Sequence, residues 1–367
     1  MAGNSIGKSF VLTCFGESHG KCVGVVIDGC PAGLPLSEDD IQIELDKRKP
    51  GVSTVGTSRV EEDKAEILSG VFNGFTTGAP ICIVVWNKDV DSKPYEKLKG
   101  KLRLGHADYT AHMRYGGFND YRGGGRFSGR ITTAYVMAGA LAKKLLKLLE
   151  VEVLAYTVQI GSIKLSKKVS YEDMRENVYT NAVRCADPHT AVAMEEELLK
   201  VKKEGDSLGG IVECIILNYP AGLGDPVFDS LDADLAKMML NIPGVKGVEI
   251  GAGFKAASLK GSENNDQFSI KNGTIVMETN NSGGILGGLS TGMPITLRVA
   301  FKPTSSIHKK QNTVSLQEMK ETEIELSGRY DPCIVPRAVP IVESCSAIVL
   351  IDHAIRLGKI GPILDKH

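Results

Sequence analysis

Ser18–Leu34 reads SHGKCVGVVIDGCPAGL and Ser207–Leu223 reads SLGGIVECIILNYPAGL; aligned without a gap, they share eight residues in seventeen. A second pair, Ser69–Val85 (SGVFNGFTTGAPICIVV) and Gly283–Val299 (GGILGGLSTGMPITLRV), shares seven in seventeen. Both pairs occur in the same order, so duplication explains them better than chance. Each block joins a strand-like run to a glycine turn, and helical patterns follow each first block, at 38–48 and 230–241. The duplication predicts two copies of a β/α unit, about 9–149 and 205–357, packed about an approximate two-fold axis as one compact body. No Pro/Ser-rich or low-complexity linker separates the copies. The strand runs read as antiparallel meanders with helices outside them rather than alternating βαβ, so the expected fold class is α+β, antiparallel sheets flanked by helices.

The copies diverge where polar chemistry concentrates. Arg103–Arg130 (RLGHADYTAHMRYGGFNDYRGGGRFSGR) holds five of the chain's thirteen arginines and no lysine. Arginine offers a planar fork that grips phosphate or carboxylate through two bonds, whereas lysine is the usual residue of a solvated face. Gly123, Gly124 and Gly125 let backbone N–H groups approach an anion without a Cβ in the way. His106 and His112 add groups that titrate near neutrality. The window reads either as an anion pocket or as a tight glycine turn with arginines on its surface. Ile131–Leu149 then has helical spacing, which places a positive helix end beside these arginines.

Other stretches carry similar pairs of readings. His19, on the glycine-flanked connection Gly16–Gly20 (GESHG) beside Ser18, is either a catalytic group or a satisfied histidine. Ser37 opens a helix that ends near Pro50, with Arg48 as its ligand-facing candidate. Residues 87–101 read as a solvated loop. Lys302–Ser306 (KPTSS) suits phosphate or a plain surface turn. In Gly328–Cys333 (GRYDPC), a strand would point Arg329 and Asp331 to one side.

Composition excludes several classes. The chain has 367 residues, 42% apolar and 24% charged, with a net charge of −1, as expected of a soluble globular protein rather than a nucleic-acid binder. Eight cysteines never form C-x-x-C, so they are expected to be reduced core thiols, with no disulfide or metal site. The N-terminus lacks an apolar signal core, and no apolar run approaches the roughly 18 residues that cross a bilayer. A cytoplasmic protein without membrane contact is expected.

Taken together, the chain resembles the chorismate synthase family nearly from end to end. The carriers are Gly16–Gly20 (GESHG), Lys47–Gly51 (KRKPG), Gly105–Tyr109 (GHADY), Arg122–Arg130 (RGGGRFSGR), Gly247–Gly251 (GVEIG), Gly283–Gly288 (GGILGG), Lys302–Ser306 and Gly328–Cys333. Any one is weak; eight in the family's order are specific. The resemblance implies a single-domain β–α–β sandwich over residues 1–367 and a homotetramer. No G-x-G-x-x-G opens a helix after a strand, so a Rossmann fold is not expected. It further implies 1,4-anti elimination of phosphate from 5-enolpyruvylshikimate 3-phosphate, giving chorismate for aromatic amino acid biosynthesis. That lyase reaction needs reduced FMN (FMNH2) yet is redox-neutral. An external flavin reductase would supply the flavin, with NADPH only an indirect reductant.

The same resemblance implies site residues. Ser18, Arg48, Arg103, Arg130 and Arg337 would bind substrate. His19 would protonate the leaving phosphate, His106 would lie at the flavin pyrimidine edge, and Asp331 would help remove the ring proton. Arg126, Ser128, Gly287, Lys302, Pro303, Thr304, Ser305, Ser306 and Arg329 match flavin-binding positions. Phe127, Gly129, Thr54 and Pro243-Gly244 depart from the family pattern, and no role is carried onto them. The rival reading is a non-catalytic FMN- or phosphate-binding module, which would need the arginines but not His19, His106 and Asp331.

Overall fold

The computed structural model describes residues 3–49, 62–88, 92–96, 98–328 and 330–364; Thr54 and Arg329 lie outside them. The first half supplies β1 (Ser5–Ile6), β2 (Val11–Gly16), β3 (Cys22–Asp28), β4 (Ala65–Ser69), the hairpin β5 (Val71–Phe72) and β6 (Phe75–Thr76), and β7 (Ile81–Trp86). Its helices are α1 (Glu38–Arg48), α2 (Lys93–Glu96), α3 (Asp108–Tyr115) and α4 (Thr132–Lys147). Five strands form an antiparallel sheet in the order β1-β2-β3-β7-β4.

The second half supplies β8 (Glu152–Ile160), β9 (Ile163–Lys164), β10 (Gly210–Leu217) and β11 (Val245–Ile250). The hairpins β12 (Phe268–Lys271) with β13 (Thr274–Met277), and β14 (Ile285–Leu286) with β15 (Leu289–Ser290), come next. They precede β16 (Ile295–Phe301) and the hairpin β17 (Gln311–Ser315) with β18 (Lys320–Ile324). Its helices are α5 (Tyr171–Asn177), α6 (Pro188–Lys203), α7 (Leu231–Leu240), α8 (Gly261–Asn264) and α9 (Val335–Arg356). The second sheet runs β9-β8-β10-β16-β11, again antiparallel. The order β2-β3-β7-β4 is repeated as β8-β10-β16-β11, with α1 matched by α7, the hairpin β5–β6 by β14–β15, and α4 by α9. The duplication visible in the sequence is thus a duplication of topology.

The main helices lie between the sheets, as the β–α–β sandwich implied by the family resemblance has it, and not outside them as the strand pattern suggested: α4 packs on β3 and β7, α9 packs on β8 and β10, and the two helices pack on each other. The cause is their composition. From Val335 to Ala354, α9 is almost wholly buried, and α4 buries twelve of its sixteen residues. A helix apolar all round must be covered on every side. By length and composition α9 could cross a bilayer, contrary to the reading that no run could; here 94% of its apolar window is buried inside the fold. The strands show the complementary pattern. In β16, Ile295, Leu297, Val299 and Phe301 are buried and the residues between them less so, the period of a sheet covered on one face.

Two contacts fix the helix layer. A Cβ added at Gly139 would stand 2.2 Å from Ser344 Cβ, so only glycine allows α4 and α9 to cross this closely. Nearby, Lys143 Nζ donates to Glu44 Oε2 and Glu343 Oε2, each at 2.6 Å, and Glu343 Oε1 accepts from the Ala155 N–H. One ammonium thus ties α1, α4 and α9, and through Glu343 reaches β8. Burial alone would raise the Glu44 carboxyl, but the charges of Lys143 and Lys47 outweigh it and bring it down to about 2. Its contribution to stability is present above the ordinary glutamate value and is lost as pH falls toward 2. Lys143→Met should cost about 3–5 kcal/mol in urea unfolding at neutral pH, because the buried Glu343 carboxylate loses its ammonium and Glu44 is left with Lys47 alone. The same variant should lose less further stability than the unaltered protein as pH falls from 4.5.

Candidate active site

His19 lies on the connection between β2 and β3, where the residue is 7% exposed. The glycine-rich loop shapes its surroundings. Gly123, Gly124 and Gly125 all have positive φ (59°, 83° and 51°), a backbone that side-chain-bearing residues rarely adopt. At Gly123 a Cβ would stand 2.3 Å from His19 Cδ2 and 2.8 Å from Ser18 Oγ. The Ser18 N–H donates to the Gly125 carbonyl at 3.2 Å, which closes the loop onto the strand connection. On its other side His19 Nδ1 is 3.0 Å from Ser92 Oγ, and its ring meets Tyr95 edge-on at 5.0 Å. The stretch expected to be a solvated loop therefore sends α2 and its Tyr95 against a buried histidine.

A cleft of about 280 Å3 opens where the halves meet. Ser18, Arg48, Ser128 and Arg130 line it from the first half; Thr304, Tyr330, Asp331 and Arg337 line it from the second. Arg48 comes from the last turn of α1, whose start is set by Ser37 and Asp40 in a capping box. Its Nε donates to Thr132 Oγ1 at 3.1 Å and its Nη2 to the Gly129 carbonyl at 3.3 Å. Arg48 Nη1 and Arg130 Nη1 both donate to Asp63. Arg337, in the first turn of α9, donates to Asp331 Oδ2 at 2.9 Å and to the Arg48 carbonyl at 3.4 Å. Two larger clefts, about 610 and 940 Å3, contain no histidine and none of Arg48, Arg103, Arg130 and Arg337.

A second cluster borders this cleft. The loop after β16 is anchored by the Lys302 N–H on the Gly244 carbonyl and by Ser207 Oγ on the Thr304 carbonyl. Lys302 Nζ and Ser305 Oγ both donate to the Gly105 carbonyl. His106 Nδ1 lies 2.9 Å from the Leu104 carbonyl, which can only accept, so Nδ1 carries the proton; Nε2 then accepts from Ser306 Oγ at 3.1 Å. Burial, then the charge of Arg103, pushes the His106 imidazole below its ordinary value, so the neutral ring prevails at neutral pH. Arg103 itself is held through Nε and Nη2 by both oxygens of Asp108, at 2.8 and 2.7 Å, with its guanidinium 5.5 Å from the Tyr95 ring. Burial would raise Asp108, but the hydrogen bonds and charge of Arg103 keep it below its usual range.

Not every candidate converges here. Arg122 pairs with Asp120, and Arg114 and His112 are exposed. Arg126 donates to Asn4 Oδ1 and to the Gly16 and Cys14 carbonyls, bracing the loop on the edge of β2. Gly287 occupies the turn between β14 and β15, with no atom within 4 Å of an added Cβ. Asp331 lies in irregular chain just before α9, not in a strand, and Arg329 is outside the described residues. All eight cysteines are free. Sequence reading missed Asp63, Ser92, Tyr95, Asp108 and Tyr330. Tyr330 stands inside Gly328–Cys333 and Asp108 inside the arginine window; nothing in the sequence around Asp63 singles it out.

A family model described as Chorismate synthase matches residues 10–355. A chorismate synthase of Dehalococcoides mccartyi is 56% identical over 363 residues, covering 99% of this chain and 100% of the relative. One from Methanosarcina barkeri is 54% identical over 362 residues, covering 99% of each. A crystal structure of chorismate synthase aligns with a TM-score of 0.77 at 31% identity, over 96% of this chain and 94% of that one.

Two outcomes are expected. In an NMR titration of the ligand-free protein, His106 should titrate below 6.5. Because the unfolded chain takes up that proton first, the His106 contribution to stability should fall as pH drops below 6.5 and disappear once the folded ring is charged. Gly123→Ala should lower the melting temperature, because its positive φ and the overlap with His19 both strain the loop, and should lower turnover by about a hundredfold, since small displacements at a reacting group cost that much.

Proposed function

The chain belongs to the chorismate synthase family and is an enzyme of that activity; from this premise we propose how its cleft serves the reaction. The observation that carries the proposal is the convergence of Ser18, Arg48 and Arg130 with Asp331 and Arg337 on one cleft at the seam of the halves. Its substrate, 5-enolpyruvylshikimate 3-phosphate, bears a phosphate and two carboxylates. Arg48, Arg130 and Arg337, with Arg103 at the border and the Ser18 hydroxyl, bind these anions. Enclosing them excludes water, which strengthens each charge interaction.

The residues also fit reduced FMN. Thr304 Oγ1 is buried with no hydrogen-bond partner among the described residues, beside the amine of Lys302 and the hydroxyls of Ser305 and Ser306. Ser128, Lys302, Pro303, Thr304, Ser305 and Ser306 would hold the flavin, with Gly287 and Arg329 completing the set. Arg126 serves through the loop it braces. When bound, reduced FMN supplies transient electron density to the substrate, with no net redox change. His19 holds a proton for the departing phosphate, whose charge grows as the C–O bond breaks. His106, neutral with its proton on Nδ1, would stand at the pyrimidine edge of the flavin. Asp331, held by Arg337, takes up the proton lost from the ring.

We read residues 1–367 as one domain of two pseudo-repeats, about 9–149 and 205–357, assembling as a cytoplasmic homotetramer. A separate reductase supplies the reduced flavin, and NADPH acts only through it. Under nitrogen, protein with dithionite-reduced FMN and 5-enolpyruvylshikimate 3-phosphate should release phosphate and form chorismate. Oxidised FMN with NADPH should not support turnover; absence of product with reduced FMN would refute the reading. His19→Ala and His106→Ala should each lower kcat by about a hundredfold or more, with far smaller changes in flavin and substrate affinity.

A further inference from the structure

Asp63 is among the most enclosed charges of the chain. Its side chain is 1% exposed, and its two oxygens are divided between Arg48 Nη1 and Arg130 Nη1. Both arginines line the cleft, whereas Asp63 stands behind them and does not. Its backbone is held in place as well. Gln42 of α1 donates to the Asp63 carbonyl at 3.1 Å and accepts from the Ala65 N–H at 3.1 Å. The φ of Asp63 is +42°, a left-handed conformation in which aspartate and asparagine are the best tolerated residues after glycine. A carboxylate is thus fixed, at some conformational cost, between two guanidinium groups from different elements.

Resting on the reading that the cleft takes an anionic substrate, we propose that Asp63 is the positioning residue that holds Arg48 and Arg130 as a pre-set pair of anion donors. Two cations facing one small anion gain most when their spacing is fixed before the ligand arrives. Without a shared carboxylate they repel, turn apart and must be reordered by each substrate molecule, a cost charged to affinity. Asp63 also cancels one of the two positive charges behind the cleft. Tight binding therefore depends on geometry rather than on an excess of charge that would hold any anion. Thr132 and Gly129 orient the rest of Arg48, and Asn87 Oδ1 accepts from Arg130 Nε at 3.2 Å, so among the contacts of the described residues the carboxylate is one that the two side chains share.

The test compares Asp63→Asn, which keeps shape and backbone preference but removes the charge, with Asp63→Gly, which leaves a carboxylate-sized gap. Thermal melting reports whether each variant is folded. In Asp63→Asn, the Kd for 5-enolpyruvylshikimate 3-phosphate should rise about tenfold, while kcat at saturation changes by less than about threefold, the pattern of lost uniform binding. In Asp63→Gly, added formate should restore much of the lost affinity by occupying the gap. In the unaltered protein formate should only compete. A Kd within about threefold of the unaltered protein in Asp63→Asn, or an Asp63→Gly affinity that formate does not improve, overturns the proposal.

If neither variant folds, the ligand-free unaltered protein decides the matter. The Arg48 and Arg130 guanidinium groups should show hindered Cζ–Nη rotation by 15N NMR, and freely rotating groups overturn the assignment. Orthophosphate is titrated in parallel as a plain anion probe. If the unaltered protein turns over its substrate but Asp63→Asn binds as before, only the positioning role fails. If it does not bind the substrate, yet orthophosphate binding weakens in Asp63→Asn, the substrate reading fails and the positioning role stands.

Discussion

Gathering guanidinium groups in a half-enclosed cleft is the constraint on which this structure turns. Two unit charges about 6 Å apart repel by about 3 kcal/mol at an effective dielectric of about 20. Arg48, Arg130 and Arg337 would therefore not remain together unless each had a fixed counter-charge. The fold supplies one for each: Asp63 is shared by the first two, and Asp331 serves the third. Arg103 at the border has Asp108 on its Nε and Nη2. These acids do more than neutralise. They hold the planar forks in orientations set by strands and helix ends, so the donors are in place before any ligand arrives.

The seam of a duplicated scaffold is a suitable place for such a site. Each half carries the same strand order and places a buried helix after it, so the topology repeats while the side chains facing the seam do not. His19 of the first copy aligns with Leu208 of the second, which packs against Gly161 instead. The α1 helix ends in Arg48, which lines the cleft, whereas its partner α7 ends at Leu240, which is exposed. The helix layer keeps the two sheets rigid behind the site, and the Lys143 contact with Glu44 and Glu343 ties α1 to α9. Those are the helices that deliver Arg48 and Arg337. Stability and function therefore meet in one place: whatever loosens α1 from α9 also moves two of the three arginines.

Much of this was legible in the sequence, for physical reasons that can be named. The repeated glycine turns fix chain reversals and strand lengths, so the topology followed from them. The layer order did not follow from the repeat, because period alone tells that α4 and α9 are apolar, not whether a sheet lies on one side or both; only the family resemblance implied the β–α–β order observed. The arginine window marked the right region but overcounted: Arg114 and Arg122 face outward, and Arg126 spends its donors on β2 carbonyls. Residue type shows which groups can bind an anion, whereas direction depends on the turn that follows. Asp63 was invisible because its significance lies wholly in contacts with residues 15 and 67 positions away. Ser92 and Tyr95 were hidden in a lysine-rich stretch whose composition reads as solvated.

The glycine triplet shows why a short motif can be essential without holding any functional group. Three successive left-handed residues turn the chain so tightly that Gly123 touches the His19 ring and Gly124 comes near Arg103 Nη2, 3.9 Å from where its Cβ would be. Any other residue at Gly123 would need the space that His19 occupies, in a backbone it disfavours. The ring is wedged between that loop and Tyr95, and Tyr95 in turn faces Arg103. One aromatic ring thus contacts both the His19 ring and the clamped Arg103 guanidinium. A shift in either is felt by the other through Tyr95, so a glycine triplet with no side chains of its own bears on the placement of both His19 and Arg103.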